Sequence, residues 1–232
     1  DLALLGVKGD RFSHTSDFFP EIEAYCEQML REGTAYADNT PLEKMREERF
    51  DGIESVCRSQ SPEENLRLWQ EMKEGTPNGL TYCIRAKMDM TANNKALRDP
   101  VMYRCNLTPH HRTGSTYKVY PTYDFACPIV DSLEGVTHAL RTNEYHDRND
   151  QYAWFLTTMR LRKVNVWDYS RLNFVYTLLS KRKLTWFVNE NRVTGWDDPR
   201  FPTVRGIRRR GLTIEALREY ILMQGASKNT IL

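Results

Sequence analysis

Five apolar side chains, Ile22, Tyr25, Cys26, Met29 and Leu30, fall at i, i+3, i+4, i+7 and i+8 and so share one face of a helix. Ser16-Asp17 offers a start ahead of them and Gly33 a stop behind them. Leu4 to Val7, just upstream, reads as a short buried strand. A strand feeding an amphipathic helix is half of a crossover unit, so this stretch predicts an α/β chain built on a parallel sheet. At 232 residues the chain has room for one large domain or two modest ones.

The next segment breaks that pattern. Thr40-Pro41-Leu42-Glu43 reads as a capping box with proline at the first helical position. Ser61-Pro62-Glu63-Glu64 is a second box, followed by Leu66, Trp69 and Met72 and closed by Gly75. Probable strands come next: "LTYCIRAKM", "VMYRCNL" and, after the turn-rich "TPHHRTGS", "YKVYPTYDFA". Residues 36–120 are therefore expected to be an inserted α+β subdomain that stands off as its own lobe. The βα pattern resumes near Tyr120. "VTHALR" is a candidate strand, Gln151 to Met159 a candidate helix, and "VWDYSRLNF" a further extended piece. Thr213 caps a helix carrying Leu217, Tyr220 and Ile221, stopped by Gly225.

Composition narrows the function classes. The net charge of +2 gives no general nucleic-acid footprint, so any basic surface is local. The five cysteines are scattered, odd in number and without a CxxC pair, which points to a reducing compartment rather than a disulfide framework. Cys105 with His110 and His111 lacks a fourth ligand and a regular spacing, so no metal site is expected. No apolar run approaches the roughly 18–20 residues of a membrane span, and no signal peptide is visible. The abrupt "DLALLGV" start and the "NTIL" end suggest a piece of a longer protein.

In "YTLLSKRKLTW", the cations Lys181-Arg182-Lys183 interrupt an apolar run. A solvated loop, a macromolecular contact and a polyphosphate site all fit the bare triplet. Lysine is a compact point charge suited to a moving phosphate, and Ser180 and backbone N–H groups add neutral donors. There is no glycine-rich phosphate loop, so a P-loop ATPase is excluded.

The flanking sequence resembles a known family. "SRLNFVYTLLSKRKL" is similar to the Lys-Met-Ser-Lys-Ser signature loop of class I aminoacyl-tRNA synthetases, in the form typical of the glutamyl and glutaminyl enzymes. "VYPTYDFACPIVDSLEGVTHALRTNEYHDR" and "GWDDPRFPTVRGIRRRGLT" resemble the same family in the same order, and "YADNTPLEKMREER", "IRAKMDM" and "LRDPVMYRCN" resemble its inserted acceptor-stem domain. The likeness covers essentially the whole chain. It implies an α/β fold, part of a Rossmann-type parallel sheet with an inserted α+β subdomain that binds the acceptor stem. The implied divisions are 1–35 and 121–200 for the catalytic halves, 36–120 for the insertion, and 201–232 for the start of a helical stem-contact region.

The resemblance also implies roles. Lys181 falls at the second signature lysine and is expected to stabilise the leaving pyrophosphate. The first signature lysine is replaced by Leu178, as is common in this branch. Arg171 and Leu172 match positions framing the adenine, and Ser180 and Arg182 complete an ATP-binding set. ATP is expected as substrate with Mg2+. Arg141 of "VTHALRT" falls where glutamyl enzymes carry a substrate arginine and glutaminyl enzymes a small uncharged residue. Tyr123 matches a tyrosine of the same pocket. An arginine suits a planar carboxylate, whereas a glutamine amide would leave it without its partner charge. The structural alternative for Arg141 is an ion pair with Glu134 or Glu144. "ACPIVDS" and "RTNEYHDR" resemble the eukaryotic-cytosolic or archaeal glutamyl type.

Asp147 and Arg148 match a loop near the first acceptor base pairs. Arg208 and Arg209, with Arg210, face either tRNA phosphates or solvent. Asp197, Asp198 and Arg200 are as readily structural, and His138 is expected to be a core histidine. The expected partners are the tRNA(Glu) acceptor end, glutamate, ATP and the other members of a multisynthetase complex, in the cytoplasm and away from membranes. The family's His-Ile-Gly-His loop and anticodon-binding barrels are absent from these 232 residues, so the segment alone is expected to be inactive. Two alternatives stand beside the glutamyl reading: a glutaminyl enzyme, and a non-catalytic tRNA-binding or scaffold fragment.

Overall fold

The computed structural model describes residues 1–172 and 175–229. They form two compact units: Ser13–Trp167, and Asp1–Phe12 together with the chain from Asp168 onward.

The larger unit begins with a 3-10 turn, Thr15–Phe18, in which the Asp17 carboxylate accepts from the His14 amide at 2.8 Å. The turn runs into α1 (Phe19–Arg31), which buries Ile22, Cys26, Met29 and Leu30 and ends before Gly33 at φ 71°. The helix face read from the sequence is therefore the face that packs. β1 (Ala35–Asp38), α2 (Leu42–Asp51), α3 (Pro62–Glu74), β2 (Cys83–Ala86), β3 (Val101–Cys105) and β4 (Val119–Pro121) follow. The strands form one sheet in the order β1-β2-β3-β4, with every pairing antiparallel. Ser61 caps α3 by accepting from the Glu64 amide, and Gly75 at φ 67° closes it. Thr40 does not cap α2 as expected. Its hydroxyl sits 3.2 Å from Ser55 Oγ, and Pro41 takes the cap position without a side-chain bond.

α4 (Tyr123–Leu133), β5 (His138–Thr142) and α5 (Asn149–Thr158) come next. β5 pairs with β6 (Asn165–Tyr169), starting from the Asn165 amide on the Thr137 carbonyl at 3.0 Å. The expected strand "YKVYPTYDFA" is a strand only over Val119–Pro121, because Thr122 opens a helix. "VWDYSRLNF" is strand over Asn165–Tyr169, and its Asn173 and Phe174 lie outside the described residues, as do Thr230, Ile231 and Leu232 of the final "NTIL".

One core joins α1, α3, the sheet, α4 and α5 through residues such as Ile22, Leu68, Trp69, Met102, Tyr103, Phe125 and Phe155. Residues 36–120 thus share their core with α1 and α4 instead of standing off as a separate lobe. The four-stranded sheet is antiparallel throughout, so it is not the expected parallel sheet. The expected first parallel strand, Leu4 to Val7, is instead a 3-10 turn at Ala3–Leu5 ending in Gly6 at φ 67°. A parallel strand needs cover on both faces. Leu4 and Val7 are 38 % and 50 % exposed. They belong to one compact unit and Val136 to Leu140 to the other.

Over β1 and β2 the second face of the four-stranded sheet carries a buried polar cluster. Arg85, fully buried, donates to the Asp38 carboxylate at 2.6 Å and to the Asp99 carbonyl at 2.9 Å. The Asp99 carboxylate accepts from Tyr36 Oη at 3.0 Å, Arg58 Nε at 2.7 Å and the Met88 amide at 2.8 Å. Burial pushes the Asp38 carboxyl up, but hydrogen bonds from Thr40 and Arg85 outweigh it and hold it below its ordinary value. Its contribution to stability is therefore full above the unfolded carboxylate range and is lost as pH falls through the lowered value. Asp38→Ala strands the Arg85 charge in the interior. It is expected to lower unfolding stability by about 3–5 kcal/mol, read from the denaturant midpoint. A loss within 0.5 kcal/mol would mean that water reaches Arg85.

The smaller unit carries α6 (Lys181–Asn189), α7 (Val204–Arg209) and α8 (Ile214–Gln224). Thr213 caps α8 by accepting from the Ala216 amide, and Gly225 follows the last turn. Asp198, 2 % exposed, ties the connection before α7. It accepts from Arg200 Nε and Nη2 at 2.8 Å each and from the Thr194 and Arg200 amides at 3.0 Å. The Arg200 guanidinium, then these amides, hold its carboxyl well below the usual range. Asp198 and Arg200 are therefore structural, and Asp197 pairs with Arg209 at 3.2 Å.

Candidate functional site

In the larger unit, β5 alternates exposed and buried, so Ala139 and Arg141 face inward while His138 is exposed. The expected core position of His138 is corrected by this register: it lies one residue off the buried face. Arg141 is 9 % exposed and meets one face of α4. Its Nη1 donates to Tyr123 Oη at 2.6 Å, and Nη2 donates to Cys127 Sγ and to Asp131 Oδ2, the latter at 3.1 Å. Tyr123, Cys127 and Asp131 are spaced i, i+4, i+8, which stacks them on one helix face. The guanidinium carbon lies 4.4 Å from the Tyr145 ring centroid, 5.2 Å from Tyr152 and 5.5 Å from Tyr123, within cation–π range. Its Nε is buried with no hydrogen-bond partner among the described residues.

The ion-pair partner the structure shows for Arg141 is thus Asp131, in place of the expected Glu134 or Glu144. Burial opposes the guanidinium charge, but the hydrogen bond to Cys127 and the surrounding groups outweigh it, so Arg141 stays protonated. Burial also pushes the Cys127 thiol and the Tyr123, Tyr145 and Tyr152 phenols up, which keeps them neutral near pH 7. The result is a charged fork held by one carboxylate, one thiol and three phenol rings, with two N–H groups, the buried Nε–H and one on Nη1, still unused. Such a fork is chemically suited to a planar carboxylate.

A cleft of about 1180 Å³ opens beside it, lined by Tyr123, Asp147, Arg148 and, from residues 36–120, Arg49, Lys95 and Arg104. Arg148 Nε donates to Asp124 at 3.1 Å, and the Asp147 carbonyl accepts from Asn94 Nδ2 at 2.8 Å. Lys95 and Arg104 are exposed. The cleft accordingly brings together the predicted Tyr123, Asp147 and Arg148 and adds three cations that the sequence reading did not single out.

In the smaller unit, Lys181, Arg182 and Lys183 are the first three residues of α6, with Ser180 at the cap position. Ser180 makes no side-chain cap bond, and the first turn holds no acid. The first backbone N–H groups of a helix have no partner within it, and cations there oppose the helix dipole by about 0.3–1 kcal/mol each. The site is locally unfavourable without an anion and favourable with one. All three cations are exposed and have no ion-pair partner among the described residues, while Leu184 is buried behind them. Arg171 is exposed and Leu172 half-buried. Arg208 and Arg209 lie in α7, where Arg209 pairs with Asp197 and Arg208 lines a shallow cleft of about 370 Å³ with Leu4 and Arg205. Among the described residues no group of three or more His, Cys, Asp or Glu side chains is placed to hold a metal. No helix there is long and apolar enough to cross a membrane.

The whole chain, residues 1–232, matches the family described as tRNA synthetases class I (E and Q), catalytic domain. The chain belongs to this family. Over its whole length it is 65 % identical to the cytoplasmic glutamate–tRNA ligase of Saccharomyces cerevisiae and spans 33 % of that protein. It is 61 % identical over 99 % of its length to the cytoplasmic glutamate–tRNA ligase of Arabidopsis thaliana, spanning 32 % of it. Against the bifunctional glutamate/proline–tRNA ligase of Cricetulus griseus it is 57 % identical over its whole length and spans 15 %. The chain thus covers a third or less of these relatives.

Proposed function

We propose that this chain is the catalytic core of a glutamate–tRNA ligase. The observation that carries the reading is Arg141: a charged, nearly buried fork with an N–H of Nη1 unused, where a glutaminyl pocket would need a neutral group. The names of the relatives support the same choice. The full-length protein activates glutamate with ATP, joining its α-carboxylate to the α-phosphorus and releasing pyrophosphate. It then passes the glutamyl group to the 3′ end of tRNA(Glu) and releases AMP.

Arg141 and Tyr123 bind the glutamate side-chain carboxylate. Lys181 stabilises the charge that builds on the β- and γ-phosphates as the Pα–O bond breaks. An ammonium placed there speeds the step because the charge is larger in the transition state than in the ground state. Ser180, Arg182 and the first amides of α6 add donors to the phosphates, and Arg171 and Leu172 frame the adenine. Mg2+ would be carried chiefly on the ATP phosphates. The cleft holding Asp147 and Arg148 takes the acceptor end, with Arg208 and Arg209 meeting stem phosphates. Residues 36–120 then serve as the acceptor-stem insertion between the catalytic segments 1–35 and 121–200, and 201–232 begin the stem-contact region.

Cytoplasmic placement follows the relatives' names. Relatives of both stand-alone and bifunctional kinds leave partnership with other synthetases in view. The activity is proposed for the full-length protein.

The test is pyrophosphate exchange by the full-length protein with each amino acid in turn. Exchange that depends on glutamate and is at least about a hundredfold weaker with glutamine is expected, since a site built to hydrogen-bond a carboxylate rejects the analogue that lacks it. Exchange favouring glutamine would assign the glutaminyl alternative. Binding of tRNA without any exchange would assign the non-catalytic one.

A further inference from the structure

Resting on the reading of Arg141 as the glutamate arginine, we propose that Asp131 is a positioning residue for substrate selection, clamped by Tyr152 so that Arg141 presents its free edge at one fixed angle. Asp131 Oδ2 accepts from Arg141 Nη2 at 3.1 Å and from Tyr152 Oη at 2.8 Å, and lies 3.5 Å from Cys127 Sγ. Tyr152 is 1 % exposed and packs in a small core with Ala139, Leu156 and Val164. Ala139 precedes Arg141 by two residues on the same strand face, so one core fixes both the strand that carries the arginine and the tyrosine that fixes its counter-ion. A buried guanidinium without such a tether has several rotamers of similar energy, and a binding group must be held to within about 0.5 Å to act. The carboxylate engages Nη2, while Nη1 spends one of its two N–H groups on Tyr123, so the tether leaves an N–H of the fork for a ligand.

A residue that acts only through Arg141 has a distinctive signature. In the full-length enzyme, Asp131→Asn is expected to raise the glutamate KM about ten- to a hundredfold, the usual worth of a supporting partner. The kcat and the ATP KM stay within about threefold, while Asp131→Glu recovers most of the loss because the carboxylate is retained. In an Arg141→Ala background, Asp131→Asn should add less than about twofold, since the group it positions is gone. Tyr152→Phe keeps the ring in the core and removes only the hydroxyl. It is expected to raise the glutamate KM about two- to tenfold, one hydrogen bond's worth, and it serves as the test should Asp131→Asn fail to fold. An unchanged glutamate KM in Tyr152→Phe, or a full additional loss from Asp131→Asn on top of Arg141→Ala, makes Asp131 merely structural and overturns the proposal. If Arg141→Ala itself leaves the glutamate KM unchanged, the reading of Arg141 fails first, and that result is distinguishable from a failure of Asp131 alone.

Discussion

Lys181→Ala in the full-length enzyme is expected to slow glutamate-dependent pyrophosphate exchange roughly a hundredfold, about 3 kcal/mol of transition-state stabilisation. The KM for glutamate should stay within about threefold, because the role proposed for Lys181 is at the phosphates rather than at the side-chain carboxylate. The local physics sharpens this expectation. Three cations stand in the first turn of α6 without an acid beside them or a capping bond from Ser180. That turn disfavours positive charge, so Lys181→Ala, if anything, stabilises the free helix. A slower enzyme with an equal or higher melting temperature would separate a catalytic loss from an unfolding one. An unchanged exchange rate would return Lys181 to the solvated reading.

Arg141→Ala is expected to lower kcat/KM for glutamate by about 2–5 kcal/mol, roughly thirtyfold to a few thousandfold. The ATP KM should hardly move. Asp131 loses its counter-ion in this variant, so its carboxylate, 20 % exposed at the side chain, is left with the Tyr152 hydroxyl and the Cys127 thiol. Some loss of stability is expected for that reason, and Arg141→Lys separates it from the loss of recognition. A lysine keeps the charge beside Asp131 but lacks the planar fork, so Arg141→Lys should restore the melting temperature without restoring glutamate use.

Much of the fold was legible because its signals are local. The apolar stripe of α1, the Ser61 cap of α3 and the Thr213 cap of α8 act within a few residues of themselves, and each appears where the pattern placed it. The failures share a cause as well. Leu4 to Val7 is apolar enough for a strand, but a strand exists only where a neighbour pairs with it, and pairing is not written in four residues. The aromatic residues of Tyr123 to Ala126 favour β structure, which predicts a strand there. A helix face formed there instead, covered by Phe125 and Ile129 against the common core. That misreading hid the site's own logic. Tyr123, Cys127 and Asp131 sit at i, i+4, i+8, a spacing visible in the sequence once the segment is taken as helical. Arg141 was found through resemblance, whereas its ion pair with Asp131 required knowing which face of α4 meets β5. The polar layer around Arg85 was not foreseen at all, since nothing local marks Asp38 and Asp99 as its partners.

The central claim is that Arg141 makes this site a glutamate site. Its most direct test is kcat/KM for glutamate and for glutamine, measured side by side in the full-length enzyme and in Arg141→Ala. The account predicts that the glutamate-to-glutamine ratio collapses by at least about thirtyfold, because only glutamate loses an ion pair. A ratio that stays the same while both activities fall together would contradict it, and would make Arg141 a structural partner of Asp131 and nothing more.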